Sequence, residues 1–193
     1  MNQATSETHL GKFLNSVEAK FPEASSRETG TVSKAYPAAL RKWVEANGGI
    51  CKFSFSLELP SGEMVGGMSI GEPKELQENV KGWIDDTWIA EDEVELEKWS
   101  KAVAFAALEN GDFLAFEKKT KEDAPIIYLS HDDESKVIAP SFEHFIREWA
   151  ALGYVGPELW VLEPFLDEEG FLDRKAGDGP EHRENLLKAG LKV

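Results

Sequence analysis

Apolar positions along the chain recur at two spacings, and the switches between them divide it into elements. Leu10, Phe13, Leu14, Val17 and Phe21 follow helical spacing, with His9 beside them and Thr5 or Ser6 as the N-cap. Residues 22–31 are small and polar and read as a loop. Pro37, then Leu40, Trp43 and Val44, then Asn47, Gly48 and Gly49 predict a short helix that starts on proline and stops on glycine. Cys51, Phe53, Phe55, Leu57 and Leu59 alternate with Lys52, Ser54, Ser56 and Glu58, the period of a strand with one buried face. The turn chemistry of Pro60, Ser61, Gly62 and Glu63 predicts that 64–70 returns as a hairpin partner, with Gly66 and Gly67 marking a bulge.

Helical spacing resumes from Pro73 through Leu76, Val80, Trp83 and Ile84 and leads into an acidic run over 85–97. Short apolar runs then follow at 103–106, 113–117, 125–129 and 136–139, separated by turn residues such as Asn110, Gly111 and Asp112, and predict a meander. Pro140 and Ser141 open a helix with Phe142, Phe145, Ile146 and Trp149 on one face, and Gly153 ends it. Beyond Pro157, Leu159, Leu162 and Phe165 form one weaker helical stretch, and Leu186 and Leu187 another. The expected fold is α+β, with an antiparallel, mainly meander sheet packed by flanking helices and a helical C-terminal extension. The expected division is 1–155 for the α+β domain and 156–193 for the extension, packed on the same core.

Composition changes this picture in two respects. The net charge of −15 repels phosphate backbones and anionic membranes and favours a basic partner, so direct nucleic-acid binding is not expected. Cys51 is the single cysteine, which leaves no intrachain disulfide and no thiolate cage and suits a reducing compartment. The start Met1, Asn2, Gln3 lacks a basic and apolar leader, and no apolar run reaches the roughly 20 residues of a membrane helix. A cytoplasmic location without membrane association is expected.

The elements around Tyr36-Pro37, Asn47-Gly48-Gly49, Asn110-Gly111-Asp112, Ser130-His131-Asp132-Asp133 and Ser141-Phe142-Glu143 fall in an order that resembles the SUKH superfamily of bacterial immunity proteins and fungal cell-wall-assembly regulators. The resemblance spans roughly residues 31–153. It implies an α+β domain that binds proteins, has no catalytic residues and requires no cofactor. For bacterial members it implies neutralising a toxin, often a nuclease. Pro37, Gly48, Gly49, Gly111 and Phe142 match as architectural positions.

His131, Asp132 and Asp133 form the most catalytic-looking cluster, because an imidazole beside carboxylates can hold a metal or act as a base. Neighbours along a turn rarely converge on one ion, and no HExxH or His-rich segment completes a shell, so a hairpin-turn scaffold is preferred and no metal site is assigned. Cys51 reads as a small buried hydrophobe, His144 as a packing or surface imidazole, and His9 and His182 as incidental.

The candidate partner-binding residues are Asp85, Asp86, Trp88, Glu91, Asp92, Glu93 and Glu95 in the acidic run and Asp132, Asp133 and Glu134 in the later turn. A solvated helix face over a buried aromatic stripe explains the same pattern more blandly. The binding reading rests on aromatic anchors that concentrate interface energy and on charge that speeds encounter. The leading functional expectation is a non-enzymatic immunity protein that binds a basic toxin domain. A regulatory interaction module is the alternative, and a metal-dependent hydrolase centred on His131 comes third.

Overall fold

The computed structural model describes residues 8–59 and 61–193. Helix α1 (His9–Lys20) buries Leu10, Phe13, Leu14 and Val17, as its periodicity predicts. Its N-cap is Thr8, whose hydroxyl accepts from the Gly11 amide at 3.2 Å; Thr5 and Ser6 lie outside the described residues. Helix α2 (Ala38–Ala46) buries Leu40 and Val44. It exits through Gly48 and Gly49 at φ 68° and 82°, a left-handed pair that side chains disfavour.

The strands form two antiparallel sheets: β1 (Ser25–Thr29), β2 (Ile50–Leu59) and β3 (Gly62–Ser69) in one, and β4 (Val103–Ala107), β5 (Phe113–Phe116), β6 (Ile126–Leu129) and β7 (Lys136–Ala139) in the other. The β2–β3 hairpin pairs Phe53 with Met68 and Leu57 with Met64, and its apolar face turns into the core. Cys51 departs from that alternation: it is half-buried, with its Sγ 3.8 Å from the Glu28 carbonyl. Strand β1 falls within the stretch read as a loop. It is an edge strand with no fully buried position, so its sequence carries no period-two hydrophobic signal.

The β2–β3 pairing is unbroken through Gly66 and Gly67, so the expected bulge is not formed. Gly66 is instead a crossing point, bridged to Val155. A Cβ there would stand 2.2 Å from the Tyr154 carbonyl oxygen and 2.3 Å from the Phe55 ring. The sheets meet where Ile70 bridges Ala106 and the Gly71 amide donates to the Phe105 carbonyl at 3.0 Å.

The four-stranded sheet is covered on both faces. Phe105, Leu114, Phe116, Ile126, Tyr128 and Ile138 belong to the main core with the three-stranded sheet, α1, α2 and α5 (Phe142–Ala151). Ala104, Phe113, Ala115, Ile127 and Leu129 face a second cluster with Leu76 and Val80 of α3 (Pro73–Asp86), Ile89, and Trp99 of α4 (Glu93–Lys101). Two-sided burial makes β5 and β6 continuous apolar runs, whereas β2 alternates. From the C-terminal segment, Leu159 and Leu162 of α6 (Leu159–Leu162), Phe165, Leu172, Leu186 of α7 (Gly179–Lys188) and Leu191 enter the main core. The Leu172 amide donates to the Ile138 carbonyl at 2.8 Å, and the Lys192 amide to Ser16 Oγ at 3.2 Å.

Candidate functional site

The acidic run folds over the outer face of the four-stranded sheet. Thr87 ends α3 and starts the 3₁₀ turn Trp88–Glu91: its hydroxyl donates to the Trp83 carbonyl at 2.7 Å and accepts from the Ile89 amide at 3.4 Å. Asp92 caps α4, its Oδ1 accepting from the amides of Val94 and Glu95 at 2.9 and 3.0 Å. Glu93 and Glu95 in the first turn and Lys98 and Lys101 in the last complement the helix dipole.

Glu95 must be removed from the candidate binding surface. Its side chain is 2% exposed, receiving the Lys98 ammonium at 2.6 Å and the Ser135 amide at 3.2 Å. It is a buried carboxylate that pins the 130–135 turn to α4. The Trp99 indole N–H donates to Ser135 Oγ at 3.1 Å, and the Trp88 indole N–H donates to the His131 carbonyl at 2.8 Å. These bonds join the two candidate segments, about forty residues apart in sequence, into one surface.

Asp85, Asp86, Glu91, Asp92, Glu93, Asp132, Asp133 and Glu134 are all exposed on it. Trp88 is 37% exposed and Val94 63%. Asp85 pairs with Lys81, whereas Asp86, Glu91, Glu93, Asp133 and Glu134 have no ion-pair partner among the described residues. The surface therefore combines uncancelled negative charge with two apolar side chains on a framework fastened by buried hydrogen bonds.

Beneath it lies a hub that the sequence did not disclose. Asp112, 3% exposed, accepts from the backbone N–H and Nδ1 of His131 at 2.9 and 2.7 Å on one oxygen. Its other oxygen accepts from the Tyr128 hydroxyl at 2.5 Å and Asn110 Nδ2 at 2.6 Å. Burial, reinforced by that bond to Asp112, pushes the Tyr128 hydroxyl pKa upward. Trp83 packs on the imidazole with ring centroids 4.5 Å apart.

Ligand atoms of Asp112, His131 and Asp132 lie within 4.8 Å of one another, so the fold supplies the distant carboxylate absent from the local pattern around His131. All four acceptor positions of Asp112 are already used, however, and a cation would have to displace the bonds that close two hairpin turns. Asp133 does not join this group; its Oδ1 accepts from the Glu134 amide at 2.8 Å.

Of the remaining histidines, two hold backbone and one a side chain. His144 Nε2 meets the Leu172 carbonyl and His182 Nε2 the Leu152 carbonyl, each at 3.0 Å, and His9 Nδ1 lies 3.1 Å from the Tyr154 hydroxyl. A carbonyl only accepts, so the protons of His144 and His182 sit on Nε2.

The acidic, tryptophan-bearing face thus sits on a two-sheet α+β domain and is fastened to it by a hydrogen-bonded turn network. The SMI1/KNR4 family (SUKH-1) matches residues 33–148, more than half of the chain. The chain belongs to this family, whose members are generally non-enzymatic immunity or regulator proteins. Comparison with curated proteins and with solved structures returns no match. No helix among the described residues is long and apolar enough to cross a membrane.

Proposed function

We propose that this chain is an immunity-type domain that docks a basic toxin domain, a nuclease being the best electrostatic fit, on the face formed by α3, α4 and the 130–135 turn. The observation that carries the reading is the exposure of Trp88 and Val94 among carboxylates most of which have no ion-pair partner among the described residues. Apolar anchors inside a ring of one charge suit a partner of opposite charge: the anchors supply affinity, and the charge supplies encounter rate and register. A nuclease needs a basic surface to hold phosphates, and occlusion of that surface would neutralise it without chemistry. The single, half-buried Cys51 accords with action in a reducing cytoplasm.

The test is co-purification with the product of a neighbouring toxin gene, followed by titration at two salt concentrations. A stoichiometric complex that weakens with salt and protects cells is expected. Trp88→Ala should weaken it by about 2 kcal/mol or more, the scale of an aromatic hot spot. Binding that is indifferent both to Trp88→Ala and to Glu91→Lys with Glu93→Lys would remove this face from the interface. A salt-sensitive complex with a signalling or cell-envelope protein would retain the face and change the role to that of a regulatory module.

A further inference from the structure

Positive charge concentrates around a cavity on the other side of the four-stranded sheet from the acidic face. A cavity of about 520 Å³ opens beside α5 and the C-terminal segment, with Trp43, Ile146 and Tyr154 among its apolar walls and Arg147, Arg174 and Arg183 among its polar ones. Among the described residues no Asp or Glu lines it, although the chain carries 36 acidic residues against 21 basic ones.

The arginines are positioned by their inner nitrogens. Arg147 Nε donates to Glu148 Oε1 at 2.7 Å, and Arg174 Nε lies 3.6 Å from Oε2 of the same buried carboxylate. Arg183 Nε donates to the Ala151 carbonyl at 3.1 Å, one helical turn further along α5. One terminal nitrogen of Arg147 meets His144 Nδ1 at 3.0 Å. The terminal nitrogens of Arg174 and Arg183 have no hydrogen-bond partner among the described residues. Arg147 and Arg174 thus share the single Glu148 carboxylate and Arg183 meets only a backbone carbonyl, so the side chains around the cavity carry a net positive charge.

We propose that this cavity binds a small organic anion, with a carboxylate or phosphate seated on Arg147, Arg174 and Arg183 and an aromatic or aliphatic body against Trp43, Ile146 and Tyr154. The volume is in the usual range for small-molecule sites, about 300–1,000 Å³, which pair apolar walls with a few convergent polar groups. Guanidinium forks match carboxylate and phosphate oxygens in a planar, bidentate manner. The site is independent of the acidic face and would link occupancy by a metabolite-sized anion to the stability of the α5 and C-terminal packing.

The test titrates the full chain with phenyl phosphate, benzoate and inorganic phosphate, read by calorimetry and by amide and indole resonances. Saturable binding of phenyl phosphate or benzoate is expected, with shifts confined to residues around Trp43, α5 and Arg183. Affinity should exceed that for inorganic phosphate by roughly tenfold, because only the aryl compounds bury an apolar body. Success with one aryl anion alone identifies the headgroup. Arg183→Gln and, separately, Arg174→Gln should abolish binding; the same spectra establish whether each variant is folded, and Arg183→Gln leaves the Glu148 pairs in place. No saturable binding, or binding equally strong in folded Arg183→Gln, overturns the proposal and leaves the arginines as a clamp on the C-terminal segment.

Discussion

The acidic face and the arginine cavity use charge in opposite ways. On the acidic face most carboxylates point into solvent without a counter-ion, and rigidity comes from groups underneath: Glu95, Asp112 and the indole N–H groups of Trp88 and Trp99. In the cavity the charges are themselves the fasteners, with Glu148 holding Arg147, the Arg174 guanidinium and the Arg174 amide. Loose surface charge contributes little to stability and much to long-range attraction, whereas a buried pair is costly to break from one side. A residue's contribution to folding and its contribution to recognition are therefore separable in this molecule, and substitutions can test that separation.

The largest effect is expected from Glu148→Ala. Its carboxylate is nearly fully buried between two guanidinium groups, and its removal leaves them unpaired. A loss of about 3 kcal/mol or more in urea-unfolding stability is expected, with loosening of the C-terminal segment in hydrogen exchange. A loss below about 1 kcal/mol would show that Glu148 is solvated in solution.

Acidification should act next, in two windows. Burial lowers the pKa of His182, and partial burial together with the Lys12 ammonium that of the more exposed His9, below the usual 6.5, so the folded state binds these protons more weakly than the unfolded chain does. The unfolded chain then binds more protons as pH falls, and stability present above 6.5 is lost progressively below it. For Glu148 burial works to raise the pKa, but hydrogen bonds from Arg147 and the Arg174 amide and both guanidinium charges outweigh it and hold the carboxyl below the usual 4.5. Its contribution is present above that value and is lost as pH drops through the lowered one. Melting temperature against pH should show both declines, and His182→Gln, which retains an N–H for the Leu152 carbonyl, should flatten the first.

The smallest effects belong to the acidic face. Asp92→Ala removes the α4 cap and should cost about 1 kcal/mol, whereas Asp86→Asn should stay within about 0.5 kcal/mol of the parent. Both should slow association with a basic partner at low salt, measured by stopped flow, and the difference should shrink as salt is added. An Asp86→Asn change that destabilised the fold like a core substitution would erase the distinction drawn above.

Much of the architecture was legible because burial of one face imprints a period on local sequence. Phe53, Phe55, Leu57 and Leu59 announced a strand, and Phe142, Phe145 and Trp149 announced a helix face. Strand β1 was not legible, since Ser25–Thr29 lies at a sheet edge and buries nothing that would write an alternation. Gly66 was misread as a bulge because the reason for its missing side chain, the backbone at Tyr154, lies far away along the chain. The candidate site divides in the same way. Its acidity was plain in composition, but Glu95 could not be told from its neighbours until the 130–135 turn was seen to cover it.

By itself, then, the sequence determined the α+β class, most element positions and the sign of the surface charge, because these follow from local periodicity, turn chemistry and counting. Only the tertiary structure decided which carboxylates are spent inside, that two acidic segments form one face, and that three arginines converge on a cavity. Such facts depend on contacts like Glu148 with Arg174, 26 residues apart, or Glu95 with Ser135, 40 apart, and separations of that length leave no periodic trace in the chain.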